Sequence, residues 1–176
     1  MSRTLKFLHT VGAIGFTGSM ASLLVMTAAL PDPAVSLNDY AAMRTAMAEV
    51  SLRLFLPSMA ISVVAGLLSM SFTPAFQNAG WVFIKLASGV LIFEWSLVAI
   101  DGPIRGGARR TAEALSSGAG AEQLGGDVDK ICWSLWVMMA VAMANIALGV
   151  WRPRLVRKKA AAAPAAAASA SPAGER

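Results

Sequence analysis

The sequence predicts an all-α integral membrane protein, a bundle of four spanning helices that is followed by a disordered tail. Of the 176 residues, 56% are hydrophobic and only 14% are charged. A soluble domain has a charged fraction nearer one quarter, so this composition favours a membrane protein. The apolar residues fall into four separate runs, which together predict one transmembrane domain over 1–155.

The four predicted spans lie at about 7–30, 52–72, 80–100 and 131–151. Each run is close to the roughly 20 residues that a helix needs to cross a bilayer. Each should be helical, because lipid offers no partner for an unpaired backbone N–H or C=O group. The first run follows two basic residues, as the core of a signal peptide does, but it is longer than such a core and rich in glycine. We therefore interpret it as a retained helix.

The three connections between the spans differ in length and polarity. The first, 31–50, becomes favourable for a helix from Asp39 onward. The second, 73–79, is short and uncharged and contains turn-forming residues. The third, 101–130, is long and polar, and its part from 105 to 115 is predicted to form a short surface helix.

The basic residues of the chain predict its orientation. The last segment, 156–176, begins with basic residues and continues as a low-complexity Ala/Pro/Ser sequence, which predicts disorder. Both ends of the chain carry unopposed positive charge, whereas the loops hold most of the acidic residues. Because cytoplasmic segments are enriched in Lys and Arg, we place both termini in the cytoplasm. The net charge of +5 thus reflects topology and anionic lipid rather than binding of nucleic acid.

Two ionisable residues lie inside predicted spans at matching depth. His9, the only histidine, is a few residues into the first span, and Lys85 is a few residues into the third. Ionisable groups in lipid are costly and usually face a bundle interior, a cavity or a partner. Neutral imidazole is a common ligand of haem iron. His9 is therefore a candidate metal ligand to haem b, and Lys85 is a candidate partner of a haem propionate.

Other residues extend this hypothesis without deciding it. Met70, near the end of the second span, and Met143, in the fourth, are candidates for a second ligand to the iron. Gly12 and Ala13 share a helix face with His9 and leave room for a flat group or for another helix. Without a cofactor, the histidine would hydrogen-bond a neighbouring helix, and a lysine near a span end would extend to the headgroups. Both interpretations stay open.

A second polar pair is predicted toward the opposite face of the membrane. Arg53, near the start of the second span, and Glu94, two turns before the end of the third, are expected to form a structural ion pair. A proton path would need more than this lone carboxylate. The chain also lacks the several His or Cys ligands of a tetrahedral zinc site, and no catalytic residue is assigned.

Four short motifs resemble those of a known family. They are LKFLHTVGAIGFTG in the first span, SLRLFLPSMAISVVAGLL in the second, Trp81 ahead of Lys85-Leu86 in the third, and WRPRL after the fourth. Over about 5–155 the chain resembles a bacterial family of four-helix membrane proteins that includes HemJ-type protoporphyrinogen oxidases and copper-resistance CopD-type domains. In HemJ-type proteins the matching histidine and lysine are the functional pair, and the histidine holds haem b. The resemblance implies these roles for His9 and Lys85, and a place in the bacterial inner membrane.

Three functions follow as alternatives. The first is a non-enzymatic membrane protein that binds haem b, and the second is a membrane redox enzyme that resembles protoporphyrinogen oxidase. The third is a structural subunit without a cofactor, whose glycine-rich first helix packs against a membrane-protein partner or a second copy. The HemJ-type first helix ends with an arginine, aromatic residues and a second histidine, where this chain has LLVMTAAL. That departure favours the first function over the second.

Overall fold

The computed structural model describes residues 3–71, 80–118 and 124–151, and every regular element in these ranges is a helix. Four of its helices are long and apolar enough to cross a membrane. The predicted all-α membrane architecture is therefore confirmed for the described residues. The predicted turn at 73–79 and the predicted disordered tail at 156–176 lie outside them.

The first and last spans are uninterrupted helices, whereas the two middle spans each contain a π-helical segment. In chain order the elements are α1 (Arg3–Ala28), α2 (Leu37–Val50), π1 (Ser51–Phe55), α3 (Leu56–Ser71), α4 (Gly80–Trp95), π2 (Ser96–Asp101), α5 (Gly102–Ser117) and α6 (Val128–Trp151). No break separates α2, π1 and α3, or α4, π2 and α5, so each set forms one continuous helix.

A proline explains each π segment. Pro57 follows π1 by two residues, and Pro103 follows π2 by the same interval. A proline cannot donate to the carbonyl four residues earlier, and its ring collides with that carbonyl in a regular α-helix. The wider π turn relieves this conflict, and the N–H groups of Leu56 and Gly102 reach carbonyls five residues earlier.

The two middle helices are longer than a bilayer is thick. The continuous helices 37–71 and 80–117 contain 35 and 38 residues, or about 50–57 Å each at 1.5 Å per residue. Since the hydrocarbon core is about 30 Å thick, roughly 20 Å or more of each helix lies beyond it. The polar helices α2 and α5 are the projecting parts, and they pack against each other. We call α2, α5 and the segment 124–127 the platform.

The platform lies at the end of the bundle opposite Arg3 and Trp151, because α2 enters the bundle from there and α5 leaves in that direction. Ser36 caps the start of α2 by accepting a hydrogen bond from the Asp39 N–H. Gly118, with φ of 64°, ends α5 in the left-handed conformation. The helices predicted after Asp39 and at 105–115 are thus confirmed, but each one continues directly into a span.

The core of the bundle lies where the π segments meet α1 and α6. The rings of Phe16 and Phe55 stack with centroids 5.1 Å apart. Around them lie buried side chains from four helices: Met20, Leu23, Met47, Ile100, Ile131 and Leu135. Large apolar side chains on the outside of the helices, such as Ile14 and Leu91, remain exposed. An exposed apolar surface of this extent fits a lipid environment.

Candidate functional site

The imidazole of His9 is fixed by the backbone of the neighbouring helix α3. Its Nδ1 lies 2.8 Å from the carbonyl oxygen of Ser62 and 3.4 Å from the Ser62 hydroxyl. A carbonyl oxygen can only accept, so Nδ1 carries the proton and donates it. In the neutral ring, Nε2 then holds a free lone pair. Metal-ligating histidines are commonly oriented in this way, with the other ring nitrogen donating to a carbonyl or a carboxylate.

Glycines on both helices permit this contact. A Cβ added at Gly66 would lie 3.5 Å from Nδ1 and Cε1 of His9, so the ring rests against the backbone of α3. A Cβ added at Gly12 would lie only 2.7 Å from the Ser62 nitrogen and 2.8 Å from the Ser58 oxygen. The space beside Gly12 is therefore filled by a helix and not available to a flat group. The sequence left open whether this space holds a flat group or another helix, and the structure shows a helix there. Any ligand of His9 must therefore approach the other edge of the ring.

The register of the two middle helices places Lys85 close to the depth of His9. The hydroxyl of Ser51 donates to Asp101 at 3.0 Å, which sets Ser51 and Asp101 opposite each other. The two helices run in opposite directions, and Lys85 lies 16 residues before Asp101. The residue 16 positions after Ser51 is Leu67, so Lys85 and Leu67 are at the same level. Each interval contains one π segment, so the count stays balanced. Leu67 adjoins the glycine that touches His9, and the two depths thus agree within about one turn, or 5 Å.

Met143 is also level with the histidine. The hydroxyl of Ser88 donates to the Asn145 side chain at 2.8 Å, which sets the register between α4 and α6. Two residues from this bond toward the platform, Met143 lies opposite Val90. By the register of Ser51 and Asp101, Val90 is level with Ser62, the hydrogen-bond partner of His9. The side chain of Met143 is 54% exposed.

Met70 is less well placed along the membrane normal. It lies about two turns beyond Ser62, or roughly 12 Å nearer the end of the bundle that carries the termini. The side chains of Met70 and Lys85 lie outside the described part of the structure, so their backbone positions alone enter this comparison.

The predicted ion pair between Arg53 and Glu94 is replaced by a different one. The Nε of Arg53 lies 2.6 Å from Oε2 of Glu49, one turn earlier on the same helix. Glu94 is exposed and forms no ion pair with another described residue. The register explains the difference, because Arg53 is level with Ala99 and therefore more than a turn from Glu94. Both members of the observed pair are exposed, so its contribution to stability is small.

The sequence did not predict that a buried aspartate would join the two π segments. The Asp101 side chain is 2% exposed; it accepts from Ser51 and forms an ion pair with Arg105 at 2.6 Å. The two prolines that follow the π segments were visible in the sequence. The meeting of Ser51 and Asp101 was not, because it depends on the register of two helices.

Within the described residues, no group of three or more His, Cys, Asp and Glu side chains is arranged to hold a metal ion. Haem iron needs no such group, since the porphyrin supplies most of its ligands. Comparison of the chain with protein-family models, curated proteins and solved structures found no match.

Proposed function

We propose that this multi-pass membrane protein binds haem b, with Nε2 of His9 as an iron ligand. The observation that carries the proposal is the hydrogen bond from Nδ1 to the Ser62 carbonyl. It holds the ring in one orientation and leaves the lone pair on Nε2, as iron coordination requires. Nε2 itself has no hydrogen-bond partner among the described residues.

The surroundings of the histidine fit such a ligand in three respects. His9 is half-buried and not enclosed in the core, and a ligand would approach the edge of its ring that carries Nε2. Met143 is level with it on a neighbouring helix and is an exposed residue, so we prefer it to Met70 as the second ligand. Lys85 is close enough in depth to pair with a propionate.

Bound haem b would supply reversible one-electron transfer. The chain's own contribution would be to orient the imidazole and to keep the proton on Nδ1 through the Ser62 carbonyl. The resemblance to HemJ-type proteins makes protoporphyrinogen oxidation the alternative reaction, and a structural subunit without a cofactor is the alternative without haem. We further propose that the protein lies in a bacterial inner membrane with both termini in the cytoplasm, which places the platform on the outer side.

The first experiment is a visible spectrum of the detergent-purified protein, oxidised and then reduced with dithionite, after expression with ample haem. The proposal requires a sharp b-type band at near-stoichiometric occupancy, and His9→Ala should abolish it. Thr10→Ala, which removes only an exposed hydroxyl bonded within its own helix, is the matched control. Glu94→Gln should also leave the band unchanged.

The two alternative functions, a structural subunit and an oxidase, predict different results with the same purified protein. A flat spectrum from a well-folded protein would favour the structural subunit. Turnover of a porphyrinogen by the haem-loaded protein, or rescue of a strain that lacks its own oxidase, would favour the enzyme. A full band in His9→Ala would show that the ligand assignment is wrong.

A further inference from the structure

The platform contains an arginine that is almost fully buried. Arg44, on α2, has only 2% of its side chain exposed. Its Nη2 donates to both carboxylate oxygens of Asp127, at 2.8 and 2.7 Å. Arg110, on α5, donates to the same carboxylate at 3.0 Å. Two helices and the segment before α6 therefore converge on one charged cluster.

The fold makes specific room for this guanidinium. A Cβ added at Gly107 would overlap Nη2 and Cζ of Arg44, so the guanidinium lies directly on the backbone of α5. The ring of Tyr40, one turn earlier on α2, lies 5.7 Å from Cζ of Arg44 and gives it a cation–π contact. The arginine is thus held in place from several sides.

Several polar atoms in this cluster have unused hydrogen-bonding capacity. Among the residues that the structure describes, the buried Nε and Nη1 groups of Arg44 have no acceptor and the buried hydroxyl of Tyr40 has no partner. Nearly all buried polar groups in proteins are satisfied, and an unsatisfied charged group is especially costly. Unpaired donors on two side chains that line one cavity therefore indicate a missing acceptor.

The charges indicate the sign of that acceptor. The Asp127 carboxylate is shared by the guanidinium groups of Arg44 and Arg110, which leaves one positive charge unbalanced. Arg44 is the buried member of the cluster, whereas Arg110 is half exposed and carries the surplus charge toward solvent. An anion beside the two arginines would balance the cluster.

A cavity of suitable size lies at this position. Its volume is about 210 Å³, and it is lined by the residues of the cluster together with Gly107 and the segment 124–127. A water molecule occupies only about 30 Å³ in the liquid, so the cavity can hold a small oxoanion and some water. Arg44 lies two turns, or about 10 Å, beyond Ser51 along α2, in the projecting part of the helix and not among the apolar spans.

We propose that this cavity binds a phosphate group. Arginine is suited to phosphate because its fixed N–H groups form short, charge-assisted hydrogen bonds with several oxygens. The group could belong to a soluble phosphate compound or to a phospholipid headgroup, which the interfacial zone outside the hydrocarbon core would bring to the same level. The site is separate from His9 and does not depend on haem.

The test measures phosphate binding by the full chain in a maltoside detergent that contains no phosphate. Inorganic phosphate is titrated at constant ionic strength with chloride as the balancing anion, and binding is followed by calorimetry. A second titration uses short-chain phosphatidylglycerol. Saturable binding of inorganic phosphate supports a soluble ligand, whereas saturable binding of the lipid alone supports a headgroup. Saturable binding of neither overturns the proposal.

Variants locate the binding in the cavity. Arg110→Gln keeps the pair between Arg44 and Asp127, so the fold should persist while affinity falls by roughly tenfold, the equivalent of 1.4 kcal/mol. Tyr40→Phe removes only the unpaired hydroxyl and should weaken binding to a smaller extent. Arg109→Gln is the matched control, because it loses the same charge one residue away at an exposed position paired with Glu113.

The control separates a site from a general attraction of anions to a basic surface. Unchanged affinity in Arg109→Gln together with weaker binding in Arg110→Gln supports the cavity. Equal losses in both variants, or no loss in either, would refute it. Thermal unfolding of each variant without ligand confirms that the compared proteins are folded.

Discussion

The close approach of α1 and α3 at Gly12 allows a prediction that links packing to the histidine. In Gly12→Ala, the new Cβ would lie 2.7 Å from a backbone nitrogen of α3, whereas ordinary contact begins at 3.4 Å. Backbone atoms cannot rotate away, so the helices must separate locally by about 0.7 Å. His9 donates to Ser62 within one turn of this point. Its hydrogen bond should lengthen to about 3.5 Å, beyond the usual range.

The expected consequences are lower stability and weaker haem binding. Overpacking of this kind typically costs about 1–3 kcal/mol, partly offset by the roughly 1 kcal/mol by which alanine favours a helix over glycine. Gly18→Ala on the same helix is the matched control, since a Cβ at Gly18 would come within 4 Å of no neighbouring element among the described residues. That variant should be neutral or slightly more stable.

The assay is thermal unfolding in detergent, followed by circular dichroism, together with titration of haem into the apoprotein. Gly12→Ala should unfold at a lower temperature than Gly18→Ala and bind haem less tightly. Equal unfolding temperatures and equal affinities in the two variants would refute the claim that backbone contact at Gly12 positions the histidine.

Three further substitutions test other contacts. Gly107→Ala should displace Arg44 and lower stability by about 1–3 kcal/mol, whereas Gly106→Ala, whose Cβ meets only the end of the Arg110 side chain, should have little effect in thermal unfolding. Asp101→Asn should lower the free energy of unfolding by about 1–3 kcal/mol, because it leaves the buried junction of the π segments mispaired. The exposed Asp129→Asn is its control, and equal unfolding temperatures of the two variants would contradict the prediction. If Met143 binds iron, Met143→Leu should let the reduced protein bind carbon monoxide, whereas Met70→Leu should behave as wild type; unaltered carbon monoxide binding in Met143→Leu would exclude this ligand.

Much of the fold could be predicted from the sequence because lipid imposes simple rules. Each apolar run long enough to cross a bilayer had to be helical, and all four predicted spans coincide with long helices among the described residues. The sequence also indicated helix after Asp39 and around 105–115. It did not show that these pieces continue into the spans, because polar composition alone cannot distinguish a separate surface helix from the projecting end of a long one.

The missed features depend on contacts between distant residues. Arg44 occurs in a polar stretch and has the sequence context of a solvent-exposed charge, and its packing against Gly107, Tyr40 and Asp127 buries it. The prediction that Arg53 pairs with Glu94 was wrong, because the register between two helices cannot be read from the span boundaries. His9 and Lys85 were placed at similar depth from the direction of their helices alone, and the hydrogen bond between Ser51 and Asp101 agrees with that depth.

The most direct test of the central claim is the reduced visible spectrum of His9→Gly, recorded as imidazole is added. Removal of the side chain leaves a space against Gly66 that matches an imidazole ring. If His9 binds the iron, the wild type should show a b-type band, His9→Gly should lose it, and added imidazole should restore it. A wild type without the band, or a His9→Gly protein that keeps it in full without imidazole, would contradict the assignment of His9 as the haem ligand.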